Sequence, residues 1–473
     1  MDPDTALLWL RRDLRLHDHP ALHRLTGEFE RVLCVFVLDD RLLAGRCASG
    51  PRTAFMLGCL RALDDELRER GSGLIVRRGR PEEELAALAG ELGAGAVGWT
   101  SDVSPFARAR DRRVTEALLA AGVAPVPCGG GYAIDVGRIA TKDRRRPYTV
   151  FGPFWHAWRD VPRRPVHPAP ARLAALPPGL ASGALPSLAA LGLAGLPAPF
   201  AEPGEAAARR ALDAWLDGPV DRYAERHDAV GEPGTSGLSP YLRWGCLSVR
   251  ECEERAVARG GEGAAAWIRQ LCWRDFLAHV LLHHPDNVRR EHQERFRQLA
   301  WEDDAPALEA WRAGRTGYPL VDAGMRQLAA TGWMHNRARM VAGSFLTKDL
   351  HLDWRAGEEH FARLLLDGEP AQNNGNWQWV ASVGVDPAPA ARRIFNPTLQ
   401  AQRFDPDGAY IRAWVPELRG VLNAAIHEPW TMSEAEQEAA GCAIGRDYPA
   451  PIVDHMIERR RALERYAGVR RSA

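Results

Sequence analysis

The segment AVGWTSDVSPFARARDRRVTEALLAAGVAPVPC, residues 96–128, decides the fold of the first part of the chain. Its two ends, AVGWT (96–100) and APVPC (124–128), are short apolar runs, the pattern of strands buried on both faces. Between them SPFARARDRRVTEALLAAG (104–122) begins with Ser then Pro, a helix-start signal. The same alternation precedes it. ALLWL (6–10), RVLCVFVLD (31–39) and GLIV (73–76) read as buried strands. PRTAFMLGCLRALDDELRERG (51–71) starts with Pro, stops at Gly and sets Met56, Leu60, Leu63 and Leu67 on one helical face. Strand–helix alternation implies a parallel sheet covered by helices on both faces, so residues 1–130 are expected to form a Rossmann-like α/β domain.

From residue 160 to about 204 the texture changes to Pro, Ala, Leu and Gly without a clean period. Residues 131–204 are therefore expected to be an interdomain linker that wraps the surface. Residues 205–473 read as helix after helix with no convincing strand, an all-α domain. Eleven of the sixteen Trp fall after residue 240, which in a helical domain reads first as a bulky core.

Composition bounds the function. The chain has 473 residues, 46% hydrophobic and 26% charged, with no apolar run long enough to span a membrane. The N-terminus MDPDTALLWLRRD is not a signal peptide, and a cytoplasmic protein is expected. Net charge is zero, a weak argument against nucleic acid because charge can be segregated. Lys occurs only at Lys142 and Lys348, so nearly every cationic contact must be a guanidinium, which forks onto phosphate and stacks on bases. Eight scattered Cys, with no CxxC pair and no zinc spacing, leave no expectation of a disulfide, metal or cluster.

Four stretches carry chemistry. GTSGLSPYLRWG (234–245) offers hydroxyls and backbone N–H groups where Ser239-Pro240 opens a helix, a setting for an anion such as pyrophosphate. WIRQLCWRDF (267–276) sets Trp267, Gln270 and Arg274 at helical spacing. TGWMHNRARM (331–340) adds Asn336, Arg337, Arg339 and Met340, and LLLDGEPAQNNGNWQW (364–379) adds Asp367, Glu369 and four amides beside two Trp. Polar groups inside a Trp-rich domain must find partners, and a planar heteroaromatic ligand with carbonyl and N–H edges would be one.

These stretches, with WLRRDLRLHDHPAL, DWRAGE (353–358) and RIFNPTLQ, resemble the DNA photolyase/cryptochrome family over nearly the whole chain. The likeness is most like class I cyclobutane pyrimidine dimer photolyases of the deazaflavin-antenna type. It implies an α/β antenna domain, a helical FAD domain and light-driven repair of ultraviolet-damaged DNA. In that activity photoexcited reduced FAD passes an electron to a flipped-out dimer.

Carried over residue by residue, the resemblance implies that Tyr223, Thr235, Ser236, Gly237, Leu238 and Ser239 hold the FAD phosphates and ribityl chain. Trp267, Arg269, Gln270 and Arg274 would line the cofactor, with Asn336 beside them. Asp367, Gly368 and Glu369 would lie near the flavin ring, with Arg339 as the partner of Asp367 and Asn373 facing flavin N5. Residues 374–376 would turn the backbone under the ring. Trp377, Trp354 and Trp301 match the tryptophan chain that carries electrons to the flavin. Trp273 and Trp379 would sandwich the lesion, with Gln270, Asn336, Arg337 and Met340 at its edges and Arg337, Arg392 and Arg393 on phosphate.

Two departures matter. Gln270 stands where dimer photolyases usually carry Glu, as in (6-4) photolyases; those, however, carry a second His where this chain has His335-Asn336. Glu369 stands where Asp is usual. Cyclobutane-dimer repair is the main reading, with (6-4) repair or cryptochrome-type signalling as alternatives. The last helical stretch ends about five residues before Ala473, so no signalling tail is expected. In the antenna domain Arg11, Arg52, Asp102 and Arg108 are candidate contacts for 8-hydroxy-5-deazaflavin, with methenyltetrahydrofolate as the alternative. Damaged DNA is the expected partner, of a monomer with no membrane or protein partner.

Overall fold

The computed structural model describes residues 4–45, 48–141 and 146–471. Lys142, named above, and Cys47, one of the eight Cys, lie outside them. Five strands form one parallel sheet: β1 (Thr5–Leu10), β2 (Arg31–Leu38), β3 (Leu74–Arg78), β4 (Ala96–Thr100) and β5 (Ala124–Cys128), in the order β3-β2-β1-β4-β5. The register sets Trp9 against Val35 and Leu8 against Gly98. Crossovers are α1 (Pro20–Glu28), α2 (Gly50–Glu69), α3 (Pro81–Leu92) and α4 (Pro105–Ala120). Local chemistry starts two of them. Ser49 Oγ accepts from Arg52 N–H ahead of α2, and Ser104 Oγ accepts from Ala107 N–H ahead of α4, each with Pro in the first turn.

Both sheet faces are apolar, as the unalternating runs require. Leu7, Trp9, Leu33 and Val97 pack under α3 and α4. On the other face Ala6, Leu8 and Leu10 belong to a core that continues through α2 into the second domain, to Trp244, Trp267 and Leu271. The two domains therefore share a core. The connection between them is not structureless: helix α5 (Phe151–Asp160) buries Phe151, Phe154 and Trp158. Asp275, pushed up to about 7 chiefly by burial, accepts from the Ala133 and Ile134 N–H groups and from Trp158 Nε1, tying this segment to the second domain.

The second domain is helical. The elements that matter to the site are α6 (Ser239–Trp244), α7 (Gly261–His283), α8 (Asn336–Ser344), α9 (Trp354–Leu364), α10 (Pro370–Val380) and α11 (His455–Arg471). Just past α10 the Ala381 carbonyl accepts from Lys348 Nζ at 2.9 Å and from Tyr466 Oη on α11 at 2.6 Å. Lys348 is fully buried, with Tyr466's ring 3.7 Å from its ammonium, and burial lowers its pKa. The same final helix bonds His455 to Asp349 and His351 to Glu458, so it fastens the segment ahead of α9 as well.

Candidate functional site

The stretch NNGNWQW lies on α10 as regular helix, so residues 374–376 make no turn under a ring, contrary to expectation. Gly375 serves close packing instead: a Cβ there would lie 2.7 Å from Leu277 on α7. The amides divide by role. Gln378 Nε2 donates to the carbonyls of Asn287 and Arg290, and its Oε1 accepts from His292 N–H. Asn374 Nδ2 donates to Asn287 O, and Asn376 Nδ2 donates back to Gln372 O. These three serve the fold. Asn373 Nδ2 donates to Glu358 O at 2.9 Å, and its Oδ1 has no partner among the described residues.

A polar cluster lies where the resemblance sets the flavin. Asp367 takes a two-pronged ion pair from Arg339, at 2.8 Å on one oxygen and 3.2 Å on the other, and Ser239 Oγ donates to it at 2.6 Å. Arg339 is thus the partner of Asp367, as expected. Gly237 holds φ 63°, a left-handed turn in which a Cβ would press on Phe200. The turn leaves Thr235 and Ser236 half-buried, with the Ser236 hydroxyl accepting from Leu238 N–H at 3.4 Å, beside buried Leu238 and Tyr223. The helix opened by Ser239-Pro240 is only six residues long, so hydroxyls rather than a helix dipole must serve a phosphate here. This set, rich in hydroxyls and with one guanidinium–carboxylate fork, fits the sugar-phosphate and polar ring edges of FAD.

Trp377 is buried on α10 between Phe361 and Trp311. Its ring seats on Gly357, where a Cβ would lie 2.1 Å away. Trp354 lies one turn earlier on the same helix α9, fully buried, with Nε1 on Glu291 at 3.2 Å. A backbone bridge from Glu302 to Leu352 brings half-buried Trp301 beside that turn. Trp301 is thus part-exposed, while Trp354 and Trp377 are buried.

On α7 Trp267 is buried while Arg269 and Gln270 are exposed. Trp273 is stacked on Phe151 at 3.8 Å between centroids with 5° between planes. Trp379 carries the Arg393 guanidinium on its ring at 3.7 Å, and Arg393 is paired with Asp386 at 2.6 Å. Each aromatic expected to wall the lesion thus has a flat group already against one face. Arg337 is paired with Asp228 and lies over Phe404. Neither Arg337 nor Arg393 is a free phosphate contact; exposed Arg392 has no ion-pair partner among the described residues. Exposed Asn336 donates to Met340 Sδ at 3.6 Å, and buried His335 accepts from Arg337 N–H, burial bringing its pKa down to about 4.

A cavity of about 800 Å³ opens between the domains. It lies outside the carboxyl ends of β1 and β4, where the strand order reverses, the usual ligand crevice of open α/β sheets. Trp9 is among its lining residues, with the guanidinia of Arg11 and Arg110 at 4.5 and 4.8 Å from the ring. Arg11, Arg52 and Asp102 line it as expected; Arg108 does not, being exposed and bonded to Leu282 O. Arg110, two residues on, faces inward instead, because two steps on a helix change its face. Arg12 bridges Asp102 at 2.9 Å and Glu369 at 2.8 Å. Glu369 also takes Arg274 at 3.3 Å and the Tyr132 hydroxyl at 3.1 Å. The carboxylate of Glu369 and the guanidinium of Arg274, both expected at the flavin, are thus turned to the interdomain cavity. Asp367 and Glu369, two residues apart, face different sites. Sequence reasoning missed Trp9, Arg12, Arg110, Tyr132 and Arg243; Trp9 and Arg110 lie in segments it had read as strand and helix.

The family model described as DNA photolyase matches residues 6–174, and that described as FAD binding domain of DNA photolyase matches residues 267–468. The chain is 42% identical to the deoxyribodipyrimidine photo-lyase of Streptomyces griseus, over 98% of this chain and 99% of that one. It is also 42% identical to that of Halobacterium salinarum, over the same shares. The structure resembles a bacterial class III photolyase from Agrobacterium tumefaciens, with TM-score 0.92, 35% identity and coverage of 100% and 98% of the two chains. A Synechocystis cryptochrome gives TM-score 0.91 at 30% identity, over 97% and 98% of the two chains. An archaeal photolyase from Sulfolobus tokodaii, described with two FAD molecules and a novel light-harvesting cofactor, gives 0.84 at 31% identity, over 98% and 100%.

Proposed function

The chain belongs to the DNA photolyase family, and from that premise we infer that it is a deoxyribodipyrimidine photo-lyase, repairing cyclobutane pyrimidine dimers in DNA under light. The observation that carries the reading is the convergence at α10: Asp367 with Arg339 and Ser239 at its start, Asn373 in its first turn and buried Trp377 one turn further. Bound FAD would supply the light-driven electron. Asn373, with Nδ2 held by Glu358 O, offers Oδ1 to accept a flavin N–H. Trp301, Trp354 and Trp377 would reload the cofactor, and burial of the inner two keeps water from the path. Trp273 and Trp379 would stack on the extruded lesion, as base-extruding enzymes do.

Dimer repair is favoured over (6-4) repair because Asn336, not a second His, follows His335, and His335 itself is committed to capping α8. The interdomain cavity would hold a second, light-gathering chromophore; its volume of about 800 Å³ and the aromatic Trp9 in its lining support a flavin-like pigment, read as 8-hydroxy-5-deazaflavin. Repair assays under blue light on DNA carrying each lesion test the function. Release of monomers from cyclobutane dimers is expected, and repair of (6-4) products alone would overturn the reading.

A further inference from the structure

We infer that Asp228 and Asp386 occupy Arg337 and Arg393 in the free protein as phosphate would in a complex, and so hold down its affinity for undamaged DNA; this rests on reading the face around Trp379 as the one that meets DNA. Both arginines belong to that face. Arg393 lies over Trp379 itself, and its carbonyl accepts from Ser344 Oγ at 3.1 Å, at the far end of the helix α8 that begins with Asn336 and Arg337. The two are held alike, with an aromatic ring beneath the guanidinium and a carboxylate at its edge. Arg337 is 4.3 Å from the Phe404 centroid and forks onto Asp228 through Nη2 and through Nε at 3.2 Å. Arg393 is 3.7 Å from the Trp379 centroid and donates through Nε to Asp386 at 2.6 Å, while its Nη groups take no bond among the described residues. The acids are anchored without the arginines. Asp386 Oδ1 accepts from Ala388 N–H at 3.1 Å, and its carbonyl accepts from Gln293 Nε2 at 3.4 Å. The loop bearing Asp228 is tied by Val230 N–H to the Phe404 carbonyl at 3.0 Å. The arginines are the movable arms, and their side chains stay 15% and 23% exposed, so phosphate can reach them without the core opening. A paired guanidinium and carboxylate are neutral as a unit and draw no phosphate from a distance. A part-exposed pair is also weak enough for a duplex to exchange it, at the cost of leaving a carboxylate beside phosphate.

The test uses the full chain loaded with FAD and an undamaged duplex, titrated by fluorescence anisotropy over a salt series. Asp228→Asn and Asp386→Asn keep the shape and an acceptor oxygen but remove the charge. Each should bind the duplex about fivefold tighter at low salt, the scale on which a part-exposed pair holds its partner. Each should also steepen the dependence of log affinity on log salt by about 0.9, the mark of one added phosphate contact. In the double variants Asp228→Asn with Arg337→Met and Asp386→Asn with Arg393→Met the gain should vanish, because no arm remains to be freed. A gain that survives loss of the arginine would show that the acids only repel phosphate, and overturns the inference. Unchanged affinity and slope in both Asn variants overturn it too, and leave the DNA face standing. Trp379→Ala that binds dimer-containing DNA as the native protein does overturns both. Retained FAD in the variants reports that they fold.

Discussion

Replacing Glu369 by Gln removes one charge and almost no volume, and its effect can be worked from the contacts. Burial by itself would raise this carboxyl; the charges of Arg12 and Arg274, the hydrogen bond from Arg12 and the charge of Arg243 reverse that and bring it from 4.5 down to about 2. A carboxylate so held contributes about 3 kcal/mol to stability, at 1.36 kcal/mol per pH unit. That agrees with the roughly 3–5 kcal/mol expected on breaking a buried ion pair by removing one partner. The folded-state pKa is depressed, so the contribution is complete above the unfolded value near 4.5 and is lost as pH falls toward 2. Glu369→Gln should therefore lower the unfolding free energy by about 3 kcal/mol at pH 7, and below about pH 4.5 the gap to the native protein should narrow by up to about 1.4 kcal/mol per pH unit. Glu369→Asp, too short to reach both Arg12 and Arg274, should fall between. Urea unfolding followed by Trp fluorescence from pH 7 to 3.5 measures this. A gap under about 0.5 kcal/mol, the usual range for surface changes, or one that does not move with pH, would refute the account.

Other outcomes follow from the flavin and lesion sides. Trp377→Phe should block photoreduction of oxidised flavin, followed by transient absorption, while repair begun from reduced flavin persists. Trp273→Ala should weaken binding of dimer-containing DNA about ten- to a hundredfold, by the roughly 1–3 kcal/mol a base–aromatic stack is worth; a gel-shift titration reads it. Gln270→Glu, at an exposed position that carries no packing, should keep or raise dimer repair under blue light. Loss of repair in that variant would move the substrate toward (6-4) products.

Most of the fold was legible because it is local. The strand ends fall within one or two residues of the apolar runs, and Ser-Pro and Pro starts mark α2 and α4 where the structure has them. The site was legible only as a set of residues, not in how they face. Nothing in DGE says that Asp367 turns to Arg339 while Glu369 turns to Arg12, because Arg12 lies at the far end of the chain. Arg337 and Arg393 read as free cations for the same reason: Asp228 and Asp386 meet them through the fold. The amides of NNGNWQW suggested a ligand edge, yet three of the four answer to loop carbonyls around Asn287 or to their own helix. The unusual Glu for Asp at 369 has its explanation in reach, since the longer arm crosses to the other domain.

The carbonyl of Ala381 also bears on the order in which the molecule can be assembled. Its Tyr466 partner lies 85 residues further along the chain. At about 5–20 residues per second on the ribosome, that interval is roughly 4–17 s. Through it the helix bearing Asn373 and Trp377 has been made and Lys348 is in place, but the bond from Tyr466 is still missing. The strands of the sheet are all made by Cys128, but the core on one of their faces also waits, for Trp244, Trp267 and Leu271. Flavin captured during synthesis would meet a half-built receptor, so loading belongs after the helix bearing Tyr466 has closed.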